Sequence, residues 1–349
     1  MCLYPRLIKN RKYTENAKNG GIIPPLMDER LLYVPVGCGR CIECRKQQAR
    51  QWQVRLLEDI KTNTNGIFVT LTFSDEAIKG LIEQKPTKHW ASLTGLDGYN
   101  LDNEIATRAV RLFLERWRKK FGKSVRHWFI TEIGGHGSEN IHLHGIIWTN
   151  HSVEDIQERW EYGFTYPNKK QYKGNYVNGK TVNYITKYIT KADEKHKEYK
   201  SKILSSKGIG ANYTKTVDSK SNKFNDKEPD KTKESYRTPT GHKINLPIYW
   251  RNKIYTDEER EKLWIIKLDK EERYVMGEKV SVKNGEEEYN KLLKWYQERN
   301  KELGYGDYKK DWKKIQYEGD MRNIRRITRI NRAKARQNKY NNKKNAEKK

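Results

Sequence analysis

The chain has 349 residues, 72 Lys+Arg against 45 Asp+Glu, a formal net charge of +27 and a mean hydropathy of -1.07. No stretch approaches the ~18 continuous apolar residues of a membrane span, and the start, MCLYPRLIKN, lacks the apolar core of a secretory signal, so the expectation is a soluble cytoplasmic protein. Basic charge interleaved with 10 Trp and 22 Tyr favours a nucleic-acid partner, and 35% hydrophobic content, against ~45–50% in ordinary domains, leaves part of the chain outside any core.

The first forty residues read as loop, punctuated by NGGIIPP (Asn19 to Pro25). CGRCIECRKQQARQWQVRLLEDI then turns helical, with Ala49, Trp52, Leu56 and Ile60 as a buried stripe. GIFVTLTF (Gly66 to Phe73) reads as a strand, and residues 75–103, with their Pro, Gly, Asn and Asp, as a long excursion. EIATRAVRLFLERWRKKFG is a helix ending at Gly122, a suitable C-terminal cap. RHWFITE (Arg126 to Glu132) and IHLHGIIW (Ile141 to Trp148) are strands joined by the turn GGHGSEN. SVEDIQERW carries a capping pattern, Ser152 with Asp155, and GFTY is a further short strand. KTVNYITKYITKAD (Lys180 to Asp193) is a helix with Val182, Ile185 and Ile189 on one side and Tyr184, Lys187, Tyr188 and Lys191 on the other. Ala192 to about Tyr236 is charged and poor in apolar residues. An apolar island, INLPIYW, and a helix from Asp257 follow. The tail, with Glu347 its only acid after Asp320, reads as a disordered or induced-helix basic arm.

Three constellations carry chemistry. On a strand, His142 and His144 project to one face while Leu143 faces the other. A hairpin sets Glu132 beside them, and two imidazoles with a carboxylate suit Mg²⁺ or Mn²⁺, or Zn²⁺. His136 and Glu139 in the turn are alternative third ligands, and a pair of ordinary polar-face histidines is the plain alternative. Tyr184 and Tyr188 share a helical face with Lys187 and Lys191. A phenol of pKa ~10 needs such cations to attack a phosphodiester at neutral pH, although the same face is also an ordinary amphipathic surface. Cys38, Cys41 and Cys44, as C-x₂-C-x₂-C, with Cys2 as a fourth, can complete a structural zinc site. An iron–sulfur cluster lacks its customary Cys-Pro, and free thiols are the third alternative. Arg322, Arg325, Arg326, Arg329 and Arg332 suggest phosphate contacts in the tail.

The order TLTF, HLHG, YITKYITK resembles the three motifs of HUH-type rolling-circle endonucleases. VPVGCGRCIECRKQQARQWQVRLLED, GIGANY, GHKINLPIYWRNKI and the Y-x-x-K-Y arrangement are similar to the replication initiators of microviruses, the small single-stranded DNA phages; the likeness covers roughly residues 1–265. It implies an α+β fold, a central antiparallel sheet with helices on one face, an N-terminal Cys-rich segment and a basic C-terminal extension. It further implies His142, His144 and Glu132 as metal ligands, Tyr184 and Tyr188 as paired nucleophiles and Lys187 as a phosphate or phenolate partner. Lys191 joins the tail arginines as a DNA contact. The expected organisation is a Cys-containing segment (1–48), an endonuclease core (49–195), a charged extension (196–265) and a basic region (266–349). The implied activity is nicking of a single-stranded origin in the cytoplasm of a bacterial host, leaving a 5′-phosphotyrosine and a 3′-OH, with rejoining by the second tyrosine. No G-x-x-x-x-G-K-[ST] occurs, so no nucleotide cofactor is expected and a host helicase and polymerase would be partners. A transposase or relaxase of the same chemistry, and a basic binding protein without catalysis, are the rival readings.

Overall fold

The computed structural model describes residues 2–342 except 87–90, 94, 97, 135–138, 175, 193–194, 197–198, 306–323, 325–326 and 329. In chain order its elements are β1 (Arg6–Lys9), β2 (Tyr33–Val36), α1 (Ile42–Thr62), β3 (Gly66–Leu71), α2 (Asp75–Glu83), α3 (Gly98–Phe121), β4 (Arg126–Ile133), β5 (Ile141–Trp148), α4 (Val153–Trp160), β6 (Thr165–Tyr166), α5 (Gly179–Thr190) and β7 (Ile203–Ser205). The chain continues through α6 (Val217–Lys220), β8 (Ser235–Arg237), β9 (Lys243–Asn245), α7 (Ile248–Ile254), α8 (Asp257–Asp269), β10 (Glu272–Val275), β11 (Glu278–Ser281) and α9 (Glu287–Glu302). It divides into two units: residues 46–222 with 234–250, and residues 1–45 with 223–233 and 251–349.

The unit that begins at Lys46 is built on a five-stranded sheet of order β6-β3-β5-β4-β7, antiparallel at every pairing. This is the α+β architecture expected, with β5 at the centre. Side chains alternate along each strand, so the sheet has two apolar faces. Ile67, Val69, Leu71, Phe129, Leu143 and Ile147 pack against Phe113 and Trp117 of α3, Leu81 of α2 and Trp160 of α4. Trp128, Ile130, Ile146 and Trp148 point the other way, onto Leu56 of α1 and Val182, Ile185 and Ile189 of α5. Helices therefore cover both faces rather than one. The reason lies in the strands themselves: β5 is apolar at odd and even positions alike except at His142 and His144. Gly145 stands opposite Phe129, where an added Cβ would meet Phe129 Cδ1 at 2.6 Å, so only glycine lets these central strands pair.

Several elements depart from the sequence reading. The excursion at 75–103 holds α2, capped by Ser74, whose hydroxyl accepts from the Ala77 N–H, and the first turns of α3. The charged tract after Ala192 supplies β7, a three-residue edge strand paired with β4. The capping box at Ser152 and Asp155 is present, and Gly122 closes α3 with φ +74°.

In the other unit, β1 pairs antiparallel with β2 inside the segment read as loop, and β10 with β11. Arg30, almost fully buried, bridges Asp28 and Asp269, and Asn300 of α9 accepts the Ile42 N–H at 2.8 Å. Residues 330–342 are helical. Arg322, Arg325, Arg326 and Arg329 lie outside the described residues, whereas Arg332 bonds Glu271 at 2.6 Å. No described helix is long and apolar enough to cross a membrane.

Candidate active site

The hairpin of β4 and β5 fixes the first half of the site. Its register sets Glu132 directly opposite His142 and Ile130 opposite His144, with Thr70 of β3 on the other flank of His144. Directly opposed residues share a face, so Glu132, His142, His144 and Thr70 all project toward α1 and α5. His144 Nε2 lies 2.7 Å from Glu132 Oε2, and its Nδ1 lies 3.1 Å from the Thr70 hydroxyl. The second oxygen of Glu132 accepts from Lys191 Nζ. Burial alone would raise the Glu132 pKa, but the hydrogen bonds from His144 and Lys191 outweigh it and hold the carboxyl below its usual range. An ionised carboxylate only accepts, so Nε2 of a neutral His144 carries the proton and Nδ1 accepts from Thr70. Burial and the neighbouring His144 push the His142 pKa down, favouring the neutral ring that a metal requires.

His142 sits against the end of β4, where Gly134 leaves room for it: an added Cβ would approach His142 Cε1 to 2.7 Å. Glu139 faces Lys195 and His196, at 3.8 and 3.7 Å, and His136 lies outside the described residues. The donor set of two imidazoles and one carboxylate suits a divalent ion. The structure pairs Glu132 with His144, but the three ligand atoms do not all fall within 4.8 Å of one another. Among the described residues only the cysteine cluster does so.

Helix α5 supplies the second half. Asn178 caps it reciprocally with Thr181, and Val182, Ile185 and Ile189 seat it on the sheet. Tyr188 does not share the exposed face with Tyr184, as the sequence reading had it: Tyr188 is 5% exposed and Tyr184 43%. At ~100° per residue, position 188 falls only ~60° from Ile185, close enough to join the apolar stripe. The Tyr188 ring lies parallel to His144, with centroids 4.4 Å apart and 1° between planes, and its hydroxyl donates to the Tyr184 oxygen at 2.8 Å. Burial, the bond to Tyr184 and the charge of Glu132 all push the Tyr188 pKa up. Tyr184 stands edge-on to Phe68 at 5.7 Å, and the Lys187 ammonium sits 4.0 Å from its ring centre and 5.1 Å from that of Tyr188.

Sequence reasoning missed Thr70, Phe68 and Gly134. The first two lie at alternating positions of GIFVTLTF and so share a face, a signal that becomes informative only once β3 is placed beside β5. Lys191, read as a DNA contact, is also an ion-pair partner of Glu132.

A separate cluster lies in the other unit. The sulfurs of Cys2, Cys38, Cys41 and Cys44 all fall within 4.8 Å of one another, and no disulfide joins them. Backbone N–H groups of Tyr4 and Cys38 donate to the Cys2 sulfur at 3.3 and 3.2 Å, and those of Arg40 and Cys41 to the Cys38 sulfur at 3.4 and 3.2 Å. At Gly37 an added Cβ would press on the Cys44 sulfur at 2.9 Å. Four sulfurs this close with N–H groups aimed at them form a thiolate set that fits a tetrahedral ion.

Comparison with known proteins points to a class, the replication-associated proteins. Residues 66–193, the span from β3 through α5 that holds every residue of the sheet-and-tyrosine site, match the family model for the replication-associated protein ORF2. The chain is also similar to the replication-associated protein ORF2 of Spiroplasma virus 4, 23% identical over 296 residues that cover 75% of this chain and 86% of the relative. No solved structure matches it.

Proposed function

We propose that the protein is a rolling-circle replication initiator that nicks single-stranded origin DNA by tyrosine attack. The observation that carries this reading is the continuous contact from carboxylate to nucleophile: Glu132 bonds His144, His144 stacks on Tyr188, and Tyr188 bonds Tyr184. A non-catalytic surface has no need to bring a tyrosine pair onto a histidine–carboxylate pair from separate elements.

In this reading the Tyr184 oxygen forms a bond to phosphorus as the bond from phosphorus to O3′ breaks. One proton leaves the phenol and one arrives at O3′, giving a 5′-phosphotyrosine and a free 3′-OH. One phosphodiester replaces another, so no nucleotide need be hydrolysed. Lys187 stabilises negative charge on the Tyr184 oxygen and on the phosphate. Glu132, His142 and His144 are the residues that would hold Mg²⁺ or Mn²⁺, which would polarise the scissile phosphate. With Nε2 of His144 given to an ion, the ring must carry its proton on Nδ1, and the Thr70 hydroxyl then switches from donor to acceptor. Tyr188 is the second nucleophile for rejoining. The 3′-OH calls for a polymerase, and strand opening for a helicase, of the bacterial host cytoplasm, the reducing compartment in which the cysteine cluster, holding Zn²⁺, would persist as thiolates.

The test is incubation with single-stranded origin DNA and Mn²⁺ or Mg²⁺. A protein–DNA adduct that survives denaturation, and is absent from the Tyr184→Phe/Tyr188→Phe variant, is the expected result. Tight binding by the wild type with no adduct on its own origin would leave only a DNA-binding module.

A further inference from the structure

Beside the tyrosines, α1 and α5 enclose a shallow groove of about 250 Å³ whose lining is unlike an ordinary helix–helix seam. From α1 it is lined by Lys46, Arg50 and Gln53, and from α5 by Asn183, Lys187 and Thr190. Both sets follow the spacing i, i+4, i+7, which puts each on a single helical stripe. Facing stripes of packed helices normally carry apolar residues. Here they carry three cations and polar groups, with one alanine and no carboxylate in the lining. Gln53 Nε2 donates to Asn183 Oδ1 at 2.7 Å and ties the two stripes together. Three like charges around one groove repel one another, and an anion seated among them offsets that cost.

Lys187 says which anion. It belongs to the groove and, at 4.0 Å, to the Tyr184 ring, so the groove opens beside the nucleophile's hydroxyl. A single strand whose scissile phosphate lies at Tyr184 would carry its neighbouring phosphates into this groove. We infer that the groove between α1 and α5 is a backbone-phosphate subsite for the single strand being cut, with Lys46 and Arg50 as its contacts away from the tyrosines. This inference rests on the nicking reading. The contacts are with phosphate and not with bases, so the subsite sets the position of the strand and adds no sequence preference.

The experiment uses the full chain in a Tyr184→Phe/Tyr188→Phe background, which cannot form an adduct, and a fluorescent oligo-dT as the probe. Binding is measured by anisotropy across a salt series. Each phosphate contact on a single strand contributes about 0.7 to the slope of log affinity against log salt, so adding Lys46→Ala/Arg50→Ala lowers the slope by about 1.4. Lys46→Gln/Arg50→Gln keeps side-chain length and guards against a folding artefact, and the same loss of slope with an unchanged melting temperature is expected. An unchanged slope in the glutamine variant overturns the subsite, whatever the wild type does to origin DNA. Absence of an adduct in the wild type, with the slope still reduced by the variants, instead overturns the nicking reading and leaves a phosphate-binding groove.

Discussion

The two tyrosines are chemically unequal, and the first cut should show it. Tyr184 is 43% exposed, receives a hydrogen bond from Tyr188 and has the Lys187 ammonium over its ring; Tyr188 is 5% exposed and pressed against His144. A donor and a cation stabilise charge on the Tyr184 oxygen, whereas burial, the Tyr184 bond and Glu132 disfavour charge on Tyr188. Tyr188→Phe keeps the ring stack and deletes one hydrogen bond to a developing anion. That loss is worth about 1.5 kcal/mol, or about tenfold in the rate of first cleavage. Tyr184→Phe leaves only a buried phenol whose ionisation is suppressed, and first cleavage should fall by about a hundredfold or more. The assay is a time course of adduct formation on a short single-stranded origin with excess Mn²⁺, resolved on a denaturing gel. Rejoining to a second oligonucleotide, which needs both phenols, should be lost in either variant. If Tyr188→Phe abolished the first cut while Tyr184→Phe merely slowed it, the argument from exposure and hydrogen bonding would be wrong.

Gly134→Ala should displace the His142 ring, because the new Cβ would lie 2.7 Å from Cε1. The Mn²⁺ concentration for half-maximal cleavage should rise about tenfold with little change in melting temperature, and an unchanged Mn²⁺ titration would remove His142 from the ion's ligands. His127, buried beside Arg126, has its pKa lowered chiefly by burial. The unfolded chain then binds the proton first, so stability falls as pH drops from about 6.5 toward the lower folded-state value, by at most about 1.4 kcal/mol per pH unit. His127→Gln should flatten melting temperature against pH in that window, and an identical profile would show that the group does not titrate there. Purified protein should hold about one zinc per chain at the four cysteines, and a chelator or Cys41→Ser should lower the melting temperature. Metal-free protein that melts unchanged would refute the zinc site.

Much of the sheet was legible because its strands are long and sharply bounded: GIFVTLTF, RHWFITE and IHLHGIIW became β3, β4 and β5, and the turn length alone implied that Glu132 returns beside His142. What could not be read depends on tertiary pairing. β7 is three residues in a charged tract and is a strand only because β4 offers its edge. β1 and β2 stabilise one another across 23 intervening residues, with no local signal for either. α2 did have one, Ser74 before two acids, obscured by the Gly and Pro that follow. Tyr188 shows the limit of helical periodicity: a residue at the edge of an apolar stripe is buried or not according to what stands opposite, and here His144 does.

The unit that holds the cysteines is assembled from segments on both sides of the sheet-bearing one. Ile42 N–H finds its acceptor in Asn300, 258 residues on, and the Leu3 carbonyl accepts from Gln297. On the ribosome, residues 46–250 are therefore complete while residues 1–45 still lack their partners. The sheet, the histidines and the tyrosines can take shape early; the cysteine unit must wait for α9. Contacts of such separation close slowly. Within one molecule, the candidate chemistry matures before the unit that surrounds it in sequence, and an arrest of synthesis between residues 250 and 297 would release the first without the second.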